Sequence, residues 1–378
     1  MKIGIVCYPT FGGSGVVATE LGMALADKGH EVHFITYNQP VRLDFISHHL
    51  HFHQVILEEY PLFQYQPYEL ALSSKMVEIV EKHQLEVLHV HYAIPHAYAA
   101  YMAKQMLKEK GIEIKVVTTL HGTDITLVGS HPTYKTAVEF SINNSDVVTA
   151  VSNNLKETTN RLFNIKNDIK VIYNFIDIEK YDKAQHQECK RLALAKPEER
   201  ILTHVSNFRP VKRVEDVIKI FYEINKEIPS KLLLIGDGPD RLKAENLANK
   251  LKISDAVLFL GNSTEVAKIL CYSDVFLLPS QTESFGLAAL EAMAAETAVI
   301  STNTGGLPEV NIHGQTGFLS NLGDVNDMAK NAISILKDDV ILARFKSNAK
   351  KHAKKFSIDN ILPVYEEIYT SCYKTIAK

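Results

Sequence analysis

Cysteine is scarce in this chain and badly spaced for pairing. Cys7, Cys189, Cys271 and Cys372 lie far apart with no C-x-x-C pair, which argues against a disulfide framework or a thiolate zinc site and fits a reducing cytoplasm. Charge of one sign is also missing: 41 Lys and Arg against 44 Asp and Glu leave a net charge of -3, so no global field favours nucleic acid or an anionic membrane surface. Any anion site must be built locally. Long apolar runs are absent, and the opening Met1-Lys2-Ile3-Gly4-Ile5-Val6-Cys7 is too short for a signal peptide or a membrane span. It reads as a first buried strand. Gly/Ser-rich segments, charge runs and short-period repeats are lacking too, so linker-like and solenoid organisations drop out.

What remains is a chain of 378 residues, 46% of them hydrophobic, enough for two domains with cores of their own. Apolar strand-like runs alternate with helical patterns: Lys2-Cys7, Val16-Lys28, Glu31-Thr36, Ser73-His83, Val87-Val90, then Val116-Leu120, Val147-Val151 and Val171-Tyr173. Short apolar strands separated by helices predict parallel β-α-β units whose sheet is covered on both faces. The rhythm lapses across Asp177-Pro197, a candidate linker, and resumes at Ile201-Ser206, Lys231-Ile235, Ala256-Leu260, Val275-Leu278 and Ala298-Ser301. Two doubly wound domains are expected. The segment from Phe356 to Lys378 reads as an amphipathic helix, which on pattern alone would pack on the second domain.

Ligands of open parallel sheets sit outside the carboxyl ends of strands, and the informative motifs all fall there. Gly12-Gly13-Ser14-Gly15 follows the first strand and opens a helix, a place where backbone N–H groups and a partial positive charge suit an anion; a turn needed only for packing is the plain alternative. It lacks G-x-G-x-x-G spacing, and no acidic residue ends the next strand, so a dinucleotide cofactor is not expected. Thr119-Leu120-His121-Gly122-Thr123-Asp124 leaves a strand end with groups that bind sugar hydroxyls, although a strand-end histidine is often structural. Ser206 to Arg213 gathers Arg209, Lys212 and Arg213, a local site for a diphosphate unless they are merely solvated.

The most specific segment is Thr282 to Met293. A helix starting near Gly286 would leave the N–H groups of Leu287 and Ala288 free for phosphate oxygens, and Glu291, four residues on at ~1.5 Å rise, falls near the ribose of the same ligand. Glu283 stands before the helix, where a sugar would lie, and a carboxylate suits a diol. Gly236-Asp237-Gly238 reads as structural, and Thr304 to Glu309 as a turn facing the cleft. His48, His49, His51, His53 and the pair His89, His91 invite a metal, but no third ligand is evident, so no metal is expected.

Together these residues resemble the retaining GT-B glycosyltransferases of the glycosyltransferase family 4 type over nearly the whole chain. Glu283 and Glu291 match that family's E-x(7)-E motif, and Gly12-Gly13, His121-Gly122, Lys212 and Gly305-Gly306 fall in family order. The resemblance implies an α/β fold of GT-B architecture, two Rossmann-like doubly wound parallel-sheet domains facing an interdomain cleft. Residues 1–178 with 356–378 would form the acceptor-binding domain, the final helix crossing back to it, and 179–355 the nucleotide-sugar domain. The donor would be held by Gly12, Gly13, Asn207, Arg209, Lys212, Asn262, Glu283, Ser284, Phe285, Gly286, Leu287, Ala288 and Glu291, with His121, Arg209, Lys212 and Glu283 carrying catalysis and no metal or cofactor. The family's G-R-L-x-x-x-K element has Asn207 at its arginine position here, with Arg209 two places on.

Cys7-Tyr8-Pro9, His89 to His96, Thr118 to Thr126 and Tyr173-Asn174-Phe175 further resemble the branch of the family that acts on malate at the start of bacillithiol biosynthesis. That implies UDP-N-acetylglucosamine as donor and L-malate as acceptor, the latter met by Ser14, Tyr92 and Thr119, although Tyr92 could simply pack beside Pro95. No nucleic acid or stable membrane partner is expected, and a homo-oligomer is left open. A lipid or polysaccharide acceptor, and a nucleotide-sugar binder without turnover, are the competing readings.

Overall fold

The structure, a computed structural model, describes residues 1–10, 12–43, 47–58, 63–182 and 191–374. Cys189, part of the expected linker and the end of the expected final helix lie outside the described residues. The chain divides into two units, Met1–Asn174 with Ile358–Lys378, and Phe175–Ser357.

The first unit is built on seven strands: β1 (Lys2–Val6), β2 (Glu31–Thr36), β3 (Leu50–Gln54), β4 (Val87–His91), β5 (Lys115–Leu120), β6 (Val147–Ala150) and β7 (Ile169–Val171). All pairings are parallel, in the order β3-β2-β1-β4-β5-β6-β7. Ile3, Ile5, Val6, Val87, Leu88 and Val90 are fully buried because helices cover both faces, which is why these strands are near-continuous apolar runs. The final helix, Ile358–Lys374, lies on this sheet, where the Tyr369 hydroxyl meets His89 Nδ1 at 2.7 Å. Packing on the second unit, the simplest reading of its amphipathic pattern, is thereby overturned. Its buried Tyr365 and Tyr369 lie against the buried His89 of the first sheet.

In the second unit the strands are β8 (Arg200–Val205), β9 (Ser230–Ile235), β10 (Val257–Gly261), β11 (Val275–Leu278), β12 (Ala298–Thr302) and β13 (Gly317–Ser320). They pair in parallel, in the order β10-β9-β8-β11-β12-β13. In each sheet the chain order reverses once, between β1 and β4 in the first and between β8 and β11 in the second. Connections leave such a pair of strands in opposite directions, so their carboxyl ends open a crevice. Among the described residues no helix is long and apolar enough to cross a membrane.

Candidate active site

In the second unit, the loops after β8 and β11 meet at the reversal point. Lys212, in a short helical turn after β8, donates through Nζ to Glu283 Oε1 at 2.6 Å, and both side chains are mostly buried. The Gln281 N–H donates to the Val211 carbonyl at 2.8 Å and locks the two loops together. Arg213 is diverted to Asp216, which it meets through Nε at 2.6 Å. The expected trio of cations is therefore a pair, Lys212 with the exposed Arg209. Asn207 is also exposed, while Phe208 between them is fully buried in the core. Asn262 is exposed just beyond β10, an edge strand.

The helix Leu287–Ala294 starts after Gly286, whose φ of +102° is left-handed and whose Cβ would stand 2.7 Å from the Leu307 side chain. Leu287 and Ala288 begin the helix, so their N–H groups have no carbonyl one turn back. Phe285 is 2% exposed and packs edge-on against Phe356, so its side chain is closed to a ligand. Glu291 is buried and accepts from the Tyr181 hydroxyl at 2.9 Å. This is the partner that a carboxylate on an apolar helix requires.

Two glycine turns brace these loops. A Cβ at Gly236 would lie 1.8 Å from the Ser206 carbonyl oxygen, and one at Gly238 2.1 Å from that of Asn207. Likewise a Cβ at Gly305 would lie 2.0 Å from the Glu283 carbonyl oxygen, and one at Gly306 2.4 Å from that of Ser284. The turn expected to face the cleft is thus the backing of the Glu283 loop.

In the first unit, Gly12 caps the helix Gly13–Asp27 directly after β1. Gly15 is required for packing, since its Cβ would meet the Tyr8 carbonyl oxygen at 2.5 Å, whereas a Cβ on Gly12 would touch only the Thr10 hydroxyl at 3.4 Å. Packing does not explain Gly12, and the helix start leaves its first N–H groups to an anion. Ser14 Oγ and the Tyr92 hydroxyl share a hydrogen bond of 2.6 Å. Tyr92 follows β4 with φ +87° and lies 5.1 Å, ring to ring, from His121.

His121 follows β5, with Nε2 bonded to His91 Nδ1 at 2.8 Å. Its backbone N–H and that of Gly122 donate to the buried Asp124 carboxylate at 3.3 and 2.9 Å, which also takes the Ala93 N–H at 2.8 Å. Burial, helped by the neighbouring His96, pushes the His121 pKa down to about 3. The imidazole is neutral at pH 7 and offers Nδ1 to a ligand. Thr119 does not join this group. It is 1% exposed, and its hydroxyl bonds His89 Nε2 and Thr149 Oγ1, both at 2.7 Å, so its expected place at an acceptor is corrected. His91 and Tyr181, which hold His121 and Glu291, carry no sequence signal of that role. His91 sits opposite Thr119 on the adjacent strand, a register the sequence does not disclose.

Two family models match: Glycosyltransferase Family 4 over residues 11–180, and Glycosyl transferases group 1 over residues 187–352. The chain is 49% identical over 370 residues to the N-acetyl-alpha-D-glucosaminyl L-malate synthase of Bacillus anthracis, covering 98% of this chain and 96% of the relative. An uncharacterized glycosyltransferase of Methanocaldococcus jannaschii is 27% identical, with 96% and 97% covered. Among solved structures, Anabaena HepE in complex with UDP and glucose superposes with a TM-score of 0.82 at 21% identity, over 98% of this chain and all (100%) of that one. Sucrose-phosphate synthase from Thermosynechococcus elongatus gives 0.80 at 22% identity, over 99% and 100%. These structures share the fold, two parallel-sheet α/β domains of GT-B type.

Proposed function

Because the chain belongs to glycosyltransferase family 4, we propose that it moves N-acetylglucosamine from UDP-N-acetylglucosamine to the hydroxyl of L-malate, the opening step of bacillithiol biosynthesis. The chain is a nucleotide-sugar-dependent glycosyltransferase; donor sugar, acceptor and a cytoplasmic setting are the proposal. The near-full-length likeness to the malate synthase carries the reading. A compact polar group of Ser14, Tyr92 and His121, suited to a small acceptor, supports it.

In this reading the Leu287 and Ala288 N–H groups, Lys212 and Arg209 take the diphosphate, the Gly12-Gly13 helix start adds further donors, and Glu291 takes the ribose. Glu283 accepts from sugar hydroxyls, and neutral His121 positions the sugar without placing a positive charge beside a cationic anomeric centre. As the bond from the anomeric carbon to UDP breaks, negative charge grows on the phosphate, where fixed cations and helix N–H groups stabilise it most. A phosphate oxygen takes the malate hydroxyl proton, and the new glycosidic bond forms on the face UDP leaves, giving retention.

Purified protein given UDP-N-acetylglucosamine and a panel of hydroxy acids, sugars and lipid acceptors should release UDP only with L-malate. No malate-dependent release would sink the acceptor assignment, and release with a lipid or polysaccharide would replace it. A second expectation concerns the brace. Gly305→Ala, at φ +58° with its new methyl against the Glu283 carbonyl, should shift that loop and lower kcat/KM by about tenfold or more while the circular dichroism spectrum is retained. Unchanged kinetics would mean that Glu283 does not need its observed position.

A further inference from the structure

We propose that the first unit carries a structural site for a divalent transition-metal ion of the zinc class, held by the imidazoles of His33, His53 and His83. β2 and β3 pair with His33 opposite His51 and Ile35 opposite His53. Strand alternation therefore puts Glu31, His33, His51 and His53 on one face. The helix Tyr68–His83 ends against that face with His83 as its last residue.

One ring nitrogen from each of His33, His53 and His83 lies within 4.8 Å of the other two, and the nearest pair, His33 Nδ1 and His53 Nε2, is 2.9 Å apart. Tetrahedral zinc with nitrogen ligands at ~2.0–2.1 Å spaces those nitrogens by about 3.3 Å, so small side-chain shifts gather the set. Two further observations point to an ion. His83 Nε2 is buried with no hydrogen-bond partner, an exception to the rule that buried polar atoms are bonded. The other His33 nitrogen, Nε2, lies 3.1 Å from Glu31 Oε1, the carboxylate support that fixes the tautomer of a metal-bound histidine and leaves Nδ1 free to ligate. Three imidazoles without a thiolate, with room for a water as fourth ligand, select zinc-class ions over calcium or magnesium.

The site lies on the edge strand β3 and its neighbour β2, away from the reversal between β1 and β4. It would tie the sheet edge to a helix, not take part in transfer.

The test uses full-length protein stripped with EDTA and titrated with Co2+. One equivalent should raise the visible d–d bands of a four-coordinate nitrogen site, Zn2+ should abolish them, and Zn2+ should raise the melting temperature while UDP release per enzyme stays unchanged. His53→Gln and His83→Gln should each weaken binding at least tenfold, and His49→Gln, an exposed neighbour, should not. No cobalt bands, or bands that survive both substitutions, would overturn the site. If either variant fails to fold, X-ray absorption on the zinc-loaded wild type decides: fewer than three imidazole ligands overturns the proposal equally.

Discussion

Acidification from about pH 7.5 to about pH 5 should unfold the first unit before the second. Burial pushes His89 and His121 down to about 3 and His96 to about 4, and holds His91 well below its ordinary value, its histidine neighbours adding to the effect. In the second unit, burial lowers His204 to about 4 and also lowers His352. Above about pH 6.5 these imidazoles are neutral whether the chain is folded or not. Below it the unfolded chain takes up protons that the folded chain refuses, so stability falls as the pH drops from 6.5 toward the folded values. A tenfold loss of proton affinity on folding corresponds to about 1.4 kcal/mol, against a domain stability of about 5–15 kcal/mol. Asp124 acts in the opposite sense. Burial outweighs its backbone hydrogen bonds and raises it to about 6, so it gains stability as the pH falls from there toward 3.8. One carboxyl does not offset the linked histidines around it. Urea midpoints and amide exchange at about pH 7.5, 6 and 5 provide the check, with β4 and β5 losing protection before β8 and β11. A midpoint indifferent to pH, or loss of the second unit first, would show that these histidines accept protons in place.

The same burial decides what could be read from the sequence. The central strands β1, β4, β8 and β11 are covered on both faces and stand out as apolar runs, so the strands that flank both reversal points were within reach of pattern reasoning, although their order was not. The edges were not. β3 (Leu50–Gln54) and β13 (Gly317–Ser320) are half-exposed, mixed in polarity and unmarked by any run, and β7 begins two residues before the expected Val171. At the candidate site, Glu283, Lys212, Glu291 and Gly286 stand out in the sequence because charge or glycine is conspicuous at a strand end or helix start. Their partners were not, since Tyr181 reaches Glu291 across 110 residues and Lys212 reaches Glu283 across 71. Thr119 misled because a hydroxyl near a strand end looks available, whereas the neighbouring strand and the final helix close over it. The histidines of β3 gave no metal site on sequence alone for a related reason. His33 and His83 join them only through strand register and the end of a helix.

Lys212→Ala and Glu283→Gln should each lower kcat/KM by about 10²-fold or more, but for reasons that binding separates. In the proposed reading Lys212 meets the charge that develops on departing UDP, so its loss should weaken UDP binding as well as transfer. Glu283 in the same reading meets the sugar, which UDP lacks. In the free enzyme it also neutralises Lys212 across 2.6 Å, with side chains 14% and 21% exposed, where water screens the pair only in part. Glu283→Gln keeps the shape and removes that opposing charge, so UDP should bind as well as to the wild type, or more tightly, while transfer collapses. The double variant should cost far less than the product of the single losses, because each residue also sets the other's position and charge. Calorimetric UDP affinities beside initial rates of UDP release provide the measurement. Equal loss of UDP binding in both single variants would make Glu283 a support for Lys212 alone, and strictly multiplicative rate losses would mean that the two act apart.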